Sequence, residues 1–414
     1  MLASIITLGC KVNEYESQAI LTELKSAGWD ITEGLVRADL YIVNTCAVTN
    51  MAERKSRQML TKINKLNPDA KIVVVGCAVQ NNPEQFQGEN IISLIGNQGK
   101  DSVVECINCK SKKLQEINHI EFEEMKKPTE TTSRQFVKIQ DGCNNFCTYC
   151  IIPYLRGRSR SRELSSILNE IKSTKCSEVV LTGINMSDYR IDGNLALKTV
   201  VKEVDKLDKR FRISSLECNV LDDEMLDILA DCKNFCPHFH LSLQSACNET
   251  LKRMNRHYTI EEFKSIVRKI KIKFPSAFIA TDIIVGFKGE TDEEFETTLN
   301  NLKEIKFDFM HIFPYSERAG TVAIKLPNSV DKSIVKQRES KLIELNQGFI
   351  KACYEKNLNS KHKVLIEINE NGKSYGYTEN YVYTEIDKII EVGKIVNVKL
   401  TEILPDGMKG EIYG

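Results

Sequence analysis

Short apolar runs alternate with longer amphipathic segments over the first hundred or so residues. The apolar runs predict buried strands at residues 4–8, 40–44, 72–75 and 91–94. Apolar positions at helical spacing predict helices at residues 14–27, 52–66 and 82–87. This alternation favours a parallel sheet with crossover helices, in which binding loops lie at the carboxyl ends of the strands. We therefore predict an N-terminal α/β domain over residues 1–105.

A second alternation of strands and helices follows a polar, charged stretch at residues 106–134, which we interpret as a linker. Its predicted strands lie at residues 136–139, 178–182, 211–216, 238–243, 277–285 and 307–313. Helical spacing is found between them at residues 164–173, 222–230, 259–274 and 292–305. Repeated strand–helix units over residues 135–352 predict a partial parallel (β/α) barrel with its site at the strand ends.

The C-terminal segment, residues 355–414, has the pattern of short strands joined by tight turns. Five strands are predicted, at residues 364–368, 374–378, 381–385, 395–400 and 409–413. Asn371-Gly372 and Asp406-Gly407 are typical hairpin turns. The segment therefore predicts a small all-β barrel of the oligonucleotide-binding type, although its own charge is slightly negative. The overall fold class is α/β with this all-β domain at the end.

Composition adds three constraints. The chain has 57 basic and 57 acidic residues, so nucleic-acid binding would require a local basic patch. No apolar run is long enough to span a bilayer and the N-terminus lacks a basic start, so we expect a cytoplasmic protein without a membrane partner. Fourteen cysteines in a reducing compartment favour metal binding or catalysis over disulfides.

Three of these cysteines, Cys143, Cys147 and Cys150, fall within eight residues after a predicted strand. A loop this short offers three thiolates but no fourth, which favours a cubane iron–sulfur cluster with one open iron. The alternative is a zinc site, which normally needs a fourth Cys or His at short spacing, and none is present.

Three further cysteines, Cys10, Cys46 and Cys77, each follow a predicted strand of the N-terminal sheet. Because parallel strands end at one edge, we expect these thiols to meet and to form a second three-thiolate cluster site. The alternative is that each is an ordinary small buried residue.

The motifs around these cysteines read Gly-Cys-Lys-Val-Asn-x-Tyr-Glu-Ser, Asn-Thr-Cys, Gly-Cys and Gly-Cys-Asn-x-Phe-Cys-Thr-Tyr-Cys. Together they resemble the radical S-adenosylmethionine (SAM) methylthiotransferase family. The resemblance implies two [4Fe–4S] clusters, SAM bound to the open iron near catalytic Cys143, Cys147 and Cys150, and a C-terminal TRAM domain. In that family SAM is cleaved to a 5′-deoxyadenosyl radical.

Lys11, Val12 and Asn13 are most similar to the branch that acts on tRNA N6-threonylcarbamoyladenosine (t6A). The isopentenyladenosine branch usually has Gly-Cys-Gln-Met-Asn at this point, and the ribosomal protein branch has Gly-Cys-Pro-Lys-Asn. The resemblance implies 2-methylthiolation of adenosine 37 in the anticodon loop, with tRNA, an electron donor protein and a sulfur donor as partners. The alternatives are a methylthiotransferase for one of the other two substrates and a non-catalytic iron–sulfur RNA-binding protein.

Strand-end polar residues and glycines of the central domain are the candidate SAM pocket, with Gln244 as the strongest candidate. The expected cofactor-binding residues are Tyr149, Thr182, Gly183, Asn185, Ser214, Glu217, Gln244, Ile283 and Val285. Four arginines at alternate positions follow the cluster loop, and guanidinium groups match phosphates well. We expect an RNA contact from Arg156, Arg158, Arg160, Arg162 and Arg256.

Overall fold

The computed structural model describes residues 1–109, 111–114, 116–117, 121–128 and 133–413. They form an N-terminal α/β domain, a central open barrel and a C-terminal closed barrel, which confirms the predicted fold class. None of the described helices is long and apolar enough to cross a membrane.

The N-terminal domain is a six-stranded parallel sheet with the order β2-β1-β3-β4-β5-β6. Its strands are β1 (Leu2–Thr7), β2 (Asp30–Glu33), β3 (Leu40–Thr45), β4 (Lys71–Gly76), β5 (Ile91–Ile95) and β6 (Ser111–Lys113). Its helices are α1 (Lys11–Ser26), α2 (Asn50–Leu66), α3 (Cys77–Asn81) and α4 (Val103–Asn108). Apolar side chains from both faces of β3 and β4 are buried, which explains their continuous apolar sequence.

The central domain contains six long strands, β7, β9, β12, β13, β14 and β15, in two parallel sheets joined by the bridge between Leu216 and Leu241. Its strands are β7 (Arg134–Asp141), β8 (Arg160–Ser161), β9 (Glu178–Gly183), β10 (Arg190–Ile191), β11 (Asn194–Leu195), β12 (Arg210–Ile213), β13 (His238–Gln244), β14 (Phe278–Val285) and β15 (Phe309–Pro314). Its helices are α5 (Ile152–Arg156), α6 (Leu164–Ser173), α7 (Leu197–Asp205), α8 (Asp223–Asp231), α9 (Asn248–Arg253), α10 (Ile260–Lys273), α11 (Asp292–Ile305) and α12 (Lys332–Asn357).

Local sequence explains the outer helices of this barrel. Thr259 and Thr291 each form a capping box with a glutamate three residues later, which satisfies free N–H groups at the starts of α10 and α11. In α10 the buried residues Ile260, Phe263, Val267 and Ile270 follow the helical repeat. These residues belong to one large apolar core that holds the strand ends in place.

The C-terminal domain is a closed five-stranded barrel with the order β16-β17-β18-β20-β19. Its strands are β16 (Lys361–Glu370), β17 (Lys373–Tyr377), β18 (Tyr383–Ile386), β19 (Ile395–Leu404) and β20 (Gly407–Ile412). Asn371 and Gly372 both have positive φ angles, 50° and 81°, as the predicted two-residue hairpin turn requires.

Two predicted details are wrong. The predicted helix at residues 82–87 is replaced by α3 and a separate 3-10 turn at Pro83–Gln85, because Pro83 lacks the N–H that a helix continuing through it would need. Residues 106–134, predicted as a linker, include β6, which pairs with β5 and extends the N-terminal sheet. Part of this stretch lies outside the described residues.

A buried carboxylate, Glu178 on β9, helps to dock the C-terminal barrel on the central domain. Arg212 donates to Glu178 Oε1 at 2.8 Å and to the carbonyl oxygens of Thr378 and Glu379 at 2.6 and 2.8 Å. Burial alone would raise the pKa of Glu178, but Arg212, Arg210 and Arg134 lower it to about 2.

This arrangement predicts acid sensitivity at Glu178. Since its pKa is lower in the folded than in the unfolded protein, it contributes about 3 kcal/mol above the unfolded-state pKa, and this is lost as pH falls toward 2. Glu178→Gln should therefore lower the free energy of unfolding most at pH 6, with the deficit shrinking toward pH 3. Urea unfolding of cluster-free, reduced protein measures this. The exposed Glu89→Gln is the control, and a deficit that is constant with pH contradicts the prediction.

Candidate active site

A cavity of about 980 Å³ lies between the N-terminal domain, the mouth of the central barrel and the C-terminal barrel. The N-terminal domain contributes Cys10, Cys46 and Cys77 to its wall. The central barrel contributes polar strand-end residues, and the C-terminal barrel contributes three aromatic rings. These further lining residues include Thr182, Gly183, Ser214, His238, His240, Asp282, His311, Tyr377, Tyr381 and Tyr383.

Strand topology places the first thiol triad. Cys10, Cys46 and Cys77 follow β1, β3 and β4, neighbouring strands that end at one edge of the sheet. Gly9 has a φ of 117°, and a Cβ there would lie 3.0 Å from Cys46 Cβ, so the close approach of these two loops needs glycine. The Asn13 amide ties the same loops together by donating to the carbonyl oxygens of Leu8 and Thr45 at 2.7 and 3.0 Å.

The second thiol triad lies in the loop that follows β7. Gly142 turns this loop with a φ of 71°, and a Cβ there would meet Arg158 O at 2.0 Å. Two N–H groups point at its sulfurs: Asn145 N lies 3.4 Å from Cys143 Sγ, and Arg256 Nη1 lies 3.3 Å from Cys147 Sγ. Such donors stabilise thiolate charge and tune metal clusters.

The donor sets fit clusters better than single ions. All six thiols are free of disulfides. Among the described residues, only His240, Asp282 and His311 bring three ligand atoms within 4.8 Å of one another, so both thiol triads are spread more widely than one zinc ion requires. Burial raises the pKa of Cys46 to about 12, of Cys143 to about 11 and of Cys150 to about 12. These thiols therefore stay protonated until metal displaces the protons.

The predicted SAM residues lie in two places: some line the cavity and others lie beside the cluster loop. Thr182, Gly183 and Ser214 line the cavity at the ends of β9 and β12. Burial raises the pKa of the Cys143 thiol, and the Asn185 side chain is one of the neighbouring groups that oppose this rise. Glu217 forms an ion pair with Arg256 beside the cluster loop.

Gln244 ends β13 in a left-handed conformation, with a φ of 69°, next to a register shift in the sheet. Nine other non-glycine residues in the described part of the chain also have a positive φ, and Gln244 is not among the residues that line the cavity. Tyr149 packs edge-on against Phe287 at 6.3 Å, inside a small apolar cluster.

The side chains of Ile283 and Val285 do not fit the predicted role. Both are buried in the apolar core, because alternate residues of a strand face opposite sides and the cavity side of β14 carries Phe278, Ala280 and Asp282. Any contact with SAM from these two positions would have to come from the backbone.

The arginines that follow the cluster loop differ from the prediction that they contact RNA. Arg156 and Arg162 are fully or almost fully buried, at 0% and 2% exposure, and Arg160 pairs with Asp141 at 3.4 Å. Arg256 also points inward, at the cluster loop. Of the five predicted arginines, only Arg158 is exposed, with its guanidinium 4.5 Å from the ring centroid of Phe146.

Arg156 instead lies at the centre of a buried charge network between the two domains. Its guanidinium contacts Glu16 at 2.9 Å and Asp141 at 3.2 Å. Lys138 bridges the same two carboxylates at 2.9 and 2.7 Å, and Lys100 pairs with Glu16. Asp141 ends β7 just before the second triad, and Glu16 lies on α1 just after Cys10, so this network, which we call the domain clamp, fixes both thiol loops.

Two features of the cavity wall, the contacts of His240 and the position of Lys11, were not predicted from the sequence. His240 Nε2 lies 3.0 Å from Asp282 Oδ2, and His311 stacks on His240 with ring centroids 5.2 Å apart. Histidine and aspartate at neighbouring strand ends were the available signal. Lys11 also lines the cavity, and burial, with smaller effects from Arg134 and Arg212, lowers its pKa to about 8.

An open parallel barrel whose first strand leads into a three-thiol loop defines a radical SAM enzyme. Residues 137–302 match the radical SAM superfamily, and residues 3–96 match the uncharacterized protein family UPF0004. The chain is 37% identical over 420 residues to threonylcarbamoyladenosine tRNA methylthiotransferase MtaB of Bacillus subtilis, covering 95% of this chain and 92% of the relative. The chain belongs to the radical SAM methylthiotransferase family, whose cofactors are SAM and two [4Fe–4S] clusters.

Two other proteins are similar to this chain, one in sequence and one in fold. The tRNA-2-methylthio-N(6)-dimethylallyladenosine synthase of Clostridium novyi is 35% identical over 434 residues, covering 99% of this chain and 96% of the relative. The solved structure of the radical SAM methyltransferase TsrM from Kitasatospora setae is 14% identical with a TM-score of 0.55, covering 76% of this chain and 74% of that chain. The latter shares the fold.

The domain clamp predicts a contrast between two neighbouring arginines. Arg156→Gln leaves buried carboxylates undercompensated and should lower the free energy of unfolding by about 3–5 kcal/mol. Arg158→Gln, at an exposed position two residues away, should change it by less than about 0.5 kcal/mol. Urea unfolding of the cluster-free protein, followed by fluorescence of the single tryptophan, Trp29, measures both. Equal losses would show that the clamp does not hold the domains together.

Proposed function

We propose that this protein inserts sulfur at C2 of N6-threonylcarbamoyladenosine 37 in the tRNA anticodon loop and methylates it, giving the 2-methylthio derivative. The observation that carries the proposal is one cavity lined both by the N-terminal thiol triad and by the strand ends of the radical SAM barrel. A base held there would lie beside the N-terminal triad and the barrel strand ends, whereas Cys143, Cys147 and Cys150 do not line the cavity themselves.

The residues of the chain divide the work by position. Cys143, Cys147 and Cys150 would hold one [4Fe–4S] cluster, and Cys10, Cys46 and Cys77 would hold the other. When bound, the first cluster with SAM supplies a carbon-centred radical and the second supplies the sulfur. Thr182, Gly183, Ser214 and Gln244 are the candidate contacts to SAM. The protein's task is to orient these groups and to exclude water around them.

The anticodon base must leave its stack to enter a cavity that lies between three domains. Aromatic rings suited to stacking are available at its wall: His311 lies parallel to His240 and to Phe313, and Phe313 is 46% exposed. Tyr377, Tyr381 and Tyr383 of the C-terminal barrel line the same cavity. Arg158 is the candidate phosphate contact that remains from the arginine run.

The choice of t6A follows the relatives named for threonylcarbamoyladenosine and the Lys-Val-Asn motif after Cys10. Relatives named for dimethylallyladenosine cover the chain equally well, so that nucleoside is the competing substrate. The same proposal includes a cytoplasmic location, a protein electron donor and a separate sulfur donor.

The test is anaerobic incubation of reconstituted enzyme with SAM, a reductant and tRNA from a strain lacking this gene, followed by mass analysis of nucleosides. The expected product is 2-methylthio-t6A. Product on dimethylallyladenosine alone would assign the competing substrate, and a failure to form 5′-deoxyadenosine would exclude the enzyme.

Single cysteine variants separate the two cluster sites. Cys46→Ala should bind about half of the iron and still form 5′-deoxyadenosine, but no methylthio product, because only the sulfur-delivering site is lost. Cys147→Ala should lose 5′-deoxyadenosine formation as well. Cys232→Ala, at the end of α8 outside the cavity, is the control and should match the wild type. Full product formation by Cys46→Ala would contradict the assignment.

A further inference from the structure

Lys11 and Arg156 are the lysine and the arginine that line the cavity in the described part of the chain, and of these two only Lys11 is unpaired. It directly follows Cys10, is half-buried, and lines the cavity together with strand ends of the central barrel. Burial is the main reason that the pKa values of His238 and His311 are lowered, and the charge of Lys11 lowers both further. The charge of Lys11 therefore acts across the domain boundary. Among the described residues, its Nζ has no hydrogen-bond or ion-pair partner.

The charged groups near Lys11 already have other partners. Arg212 pairs with Glu178, at 2.8 Å, and Arg134 pairs with Glu367. Asp282 lies on the barrel wall and is the carboxylate whose charge opposes the lowering of the Lys11 pKa by burial. It hydrogen-bonds His240. A half-buried ammonium left without a counter-ion is costly, so an anionic group entering this cavity gains most by binding there.

Compensating the charge of the thiol triad is the other role open to Lys11. Arg156 is the cation connected to the triad by contact: besides its pairing with Glu16 and Asp141, its guanidinium donates to Asn13 Oδ1 at 2.8 Å, the same oxygen that lies 3.8 Å from Cys10 Sγ. Lys11 points instead into the space where a substrate would lie.

We propose that the Lys11 ammonium binds the carboxylate of the threonylcarbamoyl group and thereby selects t6A over adenosines with uncharged N6 substituents. The inference rests on the proposed function and names the residue that recognises the modified base. Lys11 is a specificity residue that leaves the chemistry to the two thiol sites. Since it follows Cys10 directly, anchoring the carboxylate also holds the adenine beside the N-terminal triad.

The test compares two substrates that differ by one charge: an anticodon stem-loop carrying t6A37 and the same RNA carrying the methyl ester of t6A. We expect the wild-type holoenzyme to prefer the acid by about 10- to 100-fold in kcat/KM, as a charge-assisted hydrogen bond in a half-buried site provides. Lys11→Gln should remove this preference by lowering kcat/KM for the acid substrate alone, mainly by raising its KM. Lys11→Arg should restore part of it.

Equilibrium binding of both RNAs, measured by fluorescence anisotropy, should show the same loss of discrimination. Lys202→Gln, on the exposed face of α7, is the matched control and should behave as wild type.

Two results would overturn the inference: an unchanged acid-to-ester ratio in Lys11→Gln, or an equal loss on both substrates, which would indicate a structural role. A wild-type enzyme that modifies neither t6A substrate but does modify a dimethylallyladenosine stem-loop would overturn the proposed function itself, and the role of Lys11 with it.

Discussion

The interaction on which the active site depends is the buried set of ion pairs between Glu16 of the N-terminal domain and Lys138 and Arg156 of the barrel. Charged groups this deeply buried are stable only when each has a partner in good geometry, so the two domains have little freedom to rotate against each other. The arrangement stiffens two loops that carry thiols and have no regular structure of their own. Further contacts across the same boundary include the ion pair of Arg318 with Glu53 and the packing of Ile151 and Leu155 in the apolar core of the N-terminal domain.

Sheet topology supplies the rest of the placement. Parallel strands bring the residues that follow them to one edge, so thiols far apart in sequence, such as Cys10 and Cys77, meet without any local motif. The barrel uses the same principle for Thr182 and Ser214. Two unrelated sheets therefore present their functional edges to a common space, and the C-terminal barrel closes its third side.

This explains how much of the protein is predictable from its sequence. Strand ends are visible as the point where an apolar run stops, and the positions of Cys10, Cys46 and Cys77 follow from it. The partners of Arg156 and Arg162 are not visible, because Glu16, Asp141 and Glu170 are brought to them only by tertiary packing. The strand that contains Ile283 and Val285 was predicted, but not which of its two faces turns toward the cavity. A shift of one residue along a strand reverses which side chains reach the cavity.

The stacking of Tyr381 on His238, with ring centroids 4.2 Å apart, seats the last domain of the chain directly over the cavity. Both cysteine triads are complete in the sequence by Cys150, whereas this aromatic cover is encoded far later. On a ribosome both cysteine triads thus emerge before the residues that cover the cavity. The last domain to be made is the one that closes this side of the site.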